Sequence, residues 1–316
     1  MKRMMDIVDL ILKGDIRTVS RLISLVEENS PDIYTLLKIL YLHTGRAYRV
    51  GITGMPGSGK STIIDRMIEG FRERGISVGV IAVDPSSHIT SGSLLGDRIR
   101  MQRHAIDEGV FIRSMSTRGH LGGIARTTRD VVNILDAAGK EIVIVETVGV
   151  GQDEVDVASI VYTTVVVLTP DFGDELQTLK AGLFEIGDIF VINKSDLGRA
   201  GELERDINGA LDIAARRDGW RPVIVKSSAL KDEGITEIVA GIEKHKSYLH
   251  ESDRISRKKE EISEREIRNI FGDIILERAF KKIYKKEIFG EYLKMAAKRE
   301  IDPYSAALDM VKKAGF

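Results

Sequence analysis

The chain has 316 residues, of which 43% are hydrophobic and 30% charged, and its 47 basic and 48 acidic side chains leave a formal net charge of −1. This balance argues against electrostatic binding to nucleic acid or to an anionic membrane surface. There is no cysteine, so disulfides, thiolate metal sites and cysteine nucleophiles are excluded. The N-terminus lacks an apolar signal segment and no long apolar run follows, so we expect a cytoplasmic protein.

Residues 1–45 have helical periodicity. Apolar side chains recur three or four residues apart, and Pro31 separates the first part from a second short helix. The apolar positions are Ile7, Leu10, Ile11, Val19, Leu22, Ile23, Val26, Leu36, Leu37 and Leu40. We predict a helical N-terminal extension that packs on the following domain.

Residues 54–61 fit the pattern G-x-x-x-x-G-K-[ST] and lie between a predicted strand, 48–53, and a predicted helix, 61–74. Glycines allow successive backbone N–H groups to face a nucleotide's phosphates, to which the helix N-terminus adds its positive end. We expect Lys60 to reach the β- and γ-phosphates and Ser61 to offer its hydroxyl to Mg²⁺. A glycine-rich turn that only caps a helix is the weaker alternative, given this context. The predicted nucleotide contacts are Gly54, Pro56, Gly57, Ser58, Gly59, Lys60, Ser61 and Thr62.

From 46 to 250, apolar runs alternate with helical segments. Continuous apolar strands are typical of a mostly parallel sheet covered on both faces, with helices as crossovers. The fold class is therefore predicted to be α/β, a doubly wound P-loop NTPase domain, and its ligand should lie at the carboxyl ends of the strands. The runs are 78–83, 110–112, 142–145, 165–168, 189–192 and 223–226.

The sequence Asn193-Lys194-Ser195-Asp196 follows the run 189–192 and fits N-K-x-D. An aspartate can accept hydrogen bonds from both N1–H and the 2-amino group of guanine, whereas adenine offers neither donor. Alone, the motif is more typical of an ordinary strand-end turn, but after a P-loop and at the end of a strand it favours guanine. The sequence Ser228-Ala229-Leu230 resembles the loop whose backbone N–H meets guanine O6. GTP and GDP are thus the predicted ligands.

Residues 251–316 show no strand pattern. The segment 254–268 is rich in charge and predicts a solvated helix, and apolar residues then recur at helical spacing up to a last helix after Asp302-Pro303. Their apolar face packs either on the nucleotide domain or on a twin subunit, and periodicity leaves both open.

Several stretches resemble known families. Glu146-Thr147-Val148-Gly149 has glutamate where most GTPases have the aspartate of D-x-x-G, and with Asp84-Pro85-Ser86-Ser87 it resembles the SIMIBI class of GTPases, which dimerise to work. The sequences of 91–101, 113–123 and 146–152 resemble the MeaB/ArgK family, GTPase chaperones of adenosylcobalamin-dependent methylmalonyl-CoA mutase and related acyl-CoA mutases. The likeness is strong over about 10–250 and reaches the tail at 302–307.

The resemblance implies a homodimeric GTPase that gates cobalamin delivery to its mutase and protects or reactivates that enzyme. It implies that Ser61, Asp84, Asp97 and Glu146 hold Mg²⁺, with Asp84 and Glu146 acting through water. Asp84 and Asp97 then belong to a first switch region and 146–152 to a second. Gln152 would orient the attacking water, and the loop 169–180 would contact the mutase.

Simpler interpretations exist for each of these implied roles. Asp84 is also typical of a turn before proline, Asp97 of a surface acid and Gln152 of a solvated loop residue. The loop 169–180 also fits an ordinary strand-to-helix connection.

Alternative functions remain. A P-loop kinase linked to arginine and ornithine transport is weakened by N-K-x-D, because such kinases mostly use ATP. A metal-delivery GTPase is a poor fit because the six histidines show no paired spacing. No D-x-H-x-x-G cobalamin signature is present, so cobalamin is expected on the partner. A cobalamin adenosyltransferase is the second candidate partner. A nucleotide-sensing scaffold without turnover is the third alternative.

Overall fold

A computed structural model of the chain describes residues 2–28, 30, 33–84, 101–104, 106–116, 123–147, 157–170, 181–213, 219–285 and 288–315. Its centre is a sheet of seven parallel strands in the order β3-β2-β4-β1-β5-β6-β7. The strands are β1 Tyr48–Gly54, β2 Val78–Asp84, β3 Val110–Ser116, β4 Ile142–Glu146, β5 Thr163–Leu168, β6 Ile189–Ile192 and β7 Val223–Lys226. The predicted α/β fold with a parallel sheet is confirmed.

Eleven α-helices lie within these described ranges. They are α1 Lys2–Leu12, α2 Ile16–Glu27, α3 Ile33–Tyr41, α4 Lys60–Arg72, α5 Gly123–Ala137, α6 Ala181–Ile186, α7 Ala200–Ile213, α8 Ile235–His250, α9 Arg254–Lys285, α10 Ile288–Ala297 and α11 Pro303–Ala314. None of the helices described is long and apolar enough to cross a membrane.

The strand order reverses at β1, which pairs with β4 on one side and with β5 on the other. In this register Ile52 lies opposite Glu146, and Thr53 lies opposite Val166. In an open parallel sheet, ligands bind at the carboxyl edge where the strand order reverses. The loop that leaves β1 therefore starts at the position where this fold places a ligand.

Alternate residues of the strands point to opposite faces, and helices cover both. One face packs on α4 and α8, with Val50 and Ile52 of β1 fully buried between them. The other face is covered in part by α5 with α1–α3, and in part by α6 and α7. The burial of strands on both faces explains why the sequence shows continuous apolar runs there.

Polar contacts attach the N-terminal helices to the sheet. The Arg113 guanidinium on β3 donates to the Ser24 hydroxyl (3.0 Å) and pairs with Glu27 on α2. Asp136 on α5 accepts the backbone N–H groups of residues 45–47 at 2.8–3.1 Å. The predicted extension, residues 1–45, thus forms three helices within the same compact unit as the sheet.

The chain divides into two compact units, Met1–Ile262 and Ser263–Phe316. In the second unit a small core contains Ile283, Ile288, Tyr292 and Ala306. Asp302 caps α11 by accepting the N–H of Ser305 (2.9 Å). The charged segment 254–268 and the apolar segment after it form one helix, α9.

Candidate nucleotide-binding site

A cavity of about 790 Å³ opens at the carboxyl edge of the sheet, among residues that follow β1, β6 and β7 and beside Glu146, the last residue of β4. It brings together the P-loop, Glu146, the N-K-x-D segment and the loop after β7. Its lining is Gly57, Gly59, Lys60, Ser61, Thr62, Asp65, Arg66, Glu146, Asn193, Lys194, Asp196, Leu197, Ser228, Ala229 and Leu230.

The P-loop backbone requires glycine at two positions, where it lies close to neighbouring atoms. Gly54 has φ of 137°, and a Cβ there would lie 2.1 Å from the Val167 carbonyl oxygen. Gly59 has φ of 91°, and a Cβ there would lie 2.3 Å from the Asn193 side-chain nitrogen. L-residues rarely adopt such φ values, so the loop's curvature requires these glycines.

The Lys60 amine folds back over the loop. It donates to the carbonyl oxygens of Gly54 (2.7 Å) and Met55 (3.0 Å), and the residue is only 6% exposed. Its charge is therefore held by carbonyl dipoles at the cavity wall, where an anion would compete for it.

Ser61 and Glu146 meet although they are 85 residues apart in sequence. The Ser61 hydroxyl donates to Glu146 Oε1 at 2.7 Å, and both residues are buried and line the cavity. Beside them the Thr147 hydroxyl donates to the Thr53 hydroxyl at 3.0 Å. A hydroxyl and a carboxylate are oxygen donors of the kind that Mg²⁺ takes, so this pair fits a magnesium site.

The other predicted metal ligands fall partly outside the described residues. Asp84 ends β2, two residues after Ala82, which lies opposite Glu146 in the β2–β4 register. Its side chain and all of Asp97 lie outside the described set. Among the side chains that are described, no group of three or more acids or histidines is arranged so that it could hold a metal ion.

Asn193 joins the two halves of the cavity. Its Nδ2 donates to the Ser58 carbonyl oxygen (2.8 Å), and its Oδ1 accepts from the Ser227 hydroxyl (3.2 Å) and the Ala229 N–H (3.1 Å). The residue is 3% exposed. The asparagine of N-K-x-D therefore fixes the P-loop to the loop after β7.

Asp196 stands in a 3₁₀ turn, Ser195–Leu197, entered through Lys194 with φ of 55°. Its Oδ2 forms an ion pair with the Lys231 amine at 3.0 Å. Hydrogen bonds from Lys231 and then Ser228 hold the pKa of Asp196 below its usual range. The carboxylate is thus kept ionised and directed by its neighbours.

Some predicted residues do not line the cavity. Gly54, Pro56 and Ser58 shape or flank the loop without lining it, and Pro56 is exposed. Gln152 and residues 171–180 lie outside the described residues.

Sequence reasoning missed other residues at this site. Asp65 and Arg66, one turn along α4, line the cavity, and Asp65 binds Arg103 through Oδ1 (3.0 Å) and Oδ2 (2.5 Å). Leu197 lines the cavity while remaining 61% exposed. Lys231 contacts Asp196 from a loop whose only sequence signal is its position after Ser228-Ala229-Leu230.

Comparison with known proteins gives consistent matches. The model of the family described as methylmalonyl-CoA mutase-associated GTPase MeaB matches residues 19–284. A protein of Pyrococcus abyssi, named as a GTPase, is 47% identical over 311 residues, 98% of this chain and 95% of that protein. The GTPase ArgK of Escherichia coli is 37% identical over 280 residues, 85% and 83% of the two chains.

Two further matches extend the comparison. The mouse protein named methylmalonic aciduria type A homolog, mitochondrial, is 43% identical over 195 residues, which is 60% of this chain and 47% of that protein. A crystal structure titled LAO/AO transport system kinase has a TM-score of 0.73 at 27% identity and covers 98% of this chain and 96% of its own.

Proposed function

The chain belongs to the MeaB family of methylmalonyl-CoA mutase-associated GTPases, and from that membership we propose that it hydrolyses GTP in the cavity described above and thereby controls an adenosylcobalamin-dependent acyl-CoA mutase. The observation that supports this proposal most is the convergence of the P-loop, the Ser61–Glu146 pair and Asp196 on one cavity. The reaction is GTP plus water to GDP and phosphate.

The chemistry we assign to the site is positioning and charge stabilisation. The N–H groups of residues 57–62 and the Lys60 amine bind the phosphate oxygens, and Lys60 exchanges its loop carbonyls for them. Ser61 and Glu146, with Asp84 and Asp97, would hold Mg²⁺, and the bound ion would neutralise charge on the phosphate oxygens. Gln152 is proposed to orient the attacking water.

Base selection is assigned to the part of the cavity lined by Asp196 and the loop after β7. Asp196 and the loop 228–230 line the cavity. Asp196 would accept from N1–H and the 2-amino group of guanine, and the loop would face the base edge. Asn193 keeps that end at a fixed distance from the phosphate loop through its bond to Ser58.

Titration and turnover test this assignment. We expect GDP to bind more tightly than ADP, and Lys60→Ala to remove both nucleotide binding and GTP hydrolysis. The exposed Lys244 on α8 provides a matched control, whose alanine variant keeps both properties. Equal affinity for GDP and ADP in the wild type would refute the guanine assignment.

The proposed partner is a mutase of the methylmalonyl-CoA type. This is supported by the family description and by the name of the mouse relative. GTP turnover would time cobalamin delivery and protect or reactivate the mutase, with an adenosyltransferase as cofactor donor. A kinase for amino-acid transport is not favoured, because the E. coli relative ArgK is itself named a GTPase.

Addition of the purified mutase tests the partnership. We expect the mutase to raise GTP turnover, and Lys180→Ala to reduce that stimulation while leaving basal hydrolysis unchanged. Equal loss of basal and stimulated rates would assign the loop 169–180 to the active site instead.

A homodimer held by residues 251–316 is the proposed assembly. In α9, Ile267, Phe271 and Ile274 are spaced four and three residues apart, and they are 66%, 65% and 42% exposed. An apolar stripe of this kind is costly in water, and a second copy would cover it.

Light scattering tests the dimer in the full-length chain. We expect Phe271→Glu to give a monomer that still binds GDP, and Asn269→Glu, an exposed position on the same helix, to leave a dimer. A dimeric Phe271→Glu protein would locate the interface elsewhere.

A further inference from the structure

The Lys231 side chain contacts Asp196, a residue of the cavity wall. Its amine lies 3.0 Å from Asp196 Oδ2, and Asp196 lines the cavity. Lys231 is not among the described residues that line it, and its side chain is 55% exposed against 25% for Asp196. The ammonium therefore contacts a carboxylate of the cavity wall without lining the cavity itself.

The loop that carries Lys231 is held by backbone hydrogen bonds. Ser228 and Glu233 exchange N–H···O bonds of 3.0 and 3.2 Å, and the Lys231 N–H donates to the Ser228 carbonyl oxygen at 2.9 Å. Gly234 closes the loop with φ of 80°, and a Cβ there would lie 2.2 Å from the Lys226 carbonyl oxygen. The stem of Lys231 thus starts from a fixed point beside Asp196.

A carboxylate has about four acceptor sites on its two oxygens, so one ammonium does not exhaust it. An ammonium inside the cavity would compete with the two N–H donors of guanine. An ammonium that does not line the cavity leaves acceptor sites of the carboxylate available to guanine, and it restrains rotation of the carboxylate. The Ser228 side chain, which also hydrogen-bonds Asp196, restrains it further.

We propose that Lys231 is a positioning residue for base recognition, holding the Asp196 carboxylate so that both of its oxygens meet the N1–H and 2-amino donors of guanine. The inference rests on the proposed assignment of Asp196 to guanine. It adds a residue that acts through Asp196 and touches no nucleotide atom. Outer partners of this kind tune a ligating group by fixing its orientation.

The expected effect is moderate because the pair is exposed. An ion pair at such a position changes an affinity by about fivefold at most. The loss of affinity should come from the hydrogen bond between the 2-amino group of guanine and Asp196, because this bond needs a correctly rotated carboxylate.

Paired titrations with GDP and IDP test the proposal, because the hypoxanthine base of IDP keeps N1–H and lacks the 2-amino group. We expect Lys231→Met to weaken GDP by about fivefold and IDP by less than about twofold, and Lys231→Arg to restore the GDP value. Lys226→Met is the matched control, since Lys226 forms an ion pair with Glu204 (2.6 Å) at similar exposure and away from the cavity. That variant should leave both affinities unchanged.

A double-mutant cycle separates positioning from a general structural effect. In the Asp196→Asn background, Lys231→Met should cause no further loss of GDP affinity. Equal loss for GDP and IDP, an additive loss in the double variant, or unchanged GDP affinity would each overturn the proposal. A wild type that shows no preference for GDP over IDP and ADP would instead refute the assignment of Asp196 itself.

Discussion

Substitution of Asn193 by alanine should separate the two halves of the cavity. The buried Asn193 side chain makes three hydrogen bonds. Its Nδ2 donates to the Ser58 carbonyl oxygen, and its Oδ1 accepts from the Ser227 hydroxyl and the Ala229 N–H. Alanine removes all three and leaves the Ser58 carbonyl oxygen, the Ser227 hydroxyl and the Ala229 N–H without this partner. The P-loop and the loop after β7 then lose their direct link.

The size of the effect follows from those bonds. A buried hydrogen bond contributes about 1 kcal/mol net, so the loss of three predicts about 3 kcal/mol of destabilisation. For a domain of this size that corresponds to a fall of about 6–12 °C in Tm. GDP affinity should also fall by about tenfold or more, since the loss of a group that orients a binding loop has effects of this order.

Calorimetry and GDP titration measure both effects. Asn133→Ala is the matched control, because Asn133 is also a buried asparagine and its Oδ1 accepts from the Arg49 guanidinium (2.9 Å) away from the cavity. The control should lower Tm but change GDP affinity by less than about twofold. If Asn193→Ala lowers Tm while GDP binds as in the wild type, the bridge has no role in binding and the reasoning is refuted.

Three further predictions concern single side chains. Lys60→Ala should abolish nucleotide binding, whereas Glu146→Ala should mainly lower Mg²⁺-dependent hydrolysis while GDP still binds; unchanged turnover at saturating Mg²⁺ would remove Glu146 from the site. Asp196→Asn should weaken GDP by more than about tenfold and favour xanthine nucleotides in direct titrations, and unaltered base preference would contradict it. The bidentate bond from Arg72 holds the pKa of Asp107 below its ordinary value of 3.8, so the pair stabilises the fold above that pH and ceases to do so as the pH falls through the lowered pKa. Asp107→Asn should therefore lower Tm at pH 7 by an amount that shrinks below pH 3.8, and a constant difference would exclude this linkage.

The parts of the fold that the sequence predicted are those whose signals are local. The P-loop needs eight consecutive residues between a strand and a helix, and the structure has β1, the loop and α4 in that order. The buried strands could be predicted from their continuous apolar runs, because helices cover both faces of the sheet. In contrast, α9 continues through 32 residues where the sequence suggested a change of segment, since no proline interrupts it.

Contacts between distant segments could not be predicted in this way. The Ser61–Glu146 bond depends on the β1–β4 register, and the Asn193–Ser58 bond joins residues 135 apart. The motifs placed these residues at strand ends, but distances of 2.7 and 2.8 Å require the assembled sheet. Lys231 carries no motif of its own, and only the pairing of β6 with β7 brings its loop to Asp196.

The central place of β1 has a consequence for synthesis of the chain. β1 is made early, but its neighbours β4 and β5 begin only at residues 142 and 163, and α2 and α3 find their packing partner only when α5 is complete at residue 137. A nascent chain shorter than about 140 residues therefore exposes the apolar faces of its first helices and strand, and non-local pairing of this kind makes folding slow. Chains arrested before residue 142 should be cut readily by protease, while chains extended past residue 168 can close the sheet around β1 and become resistant.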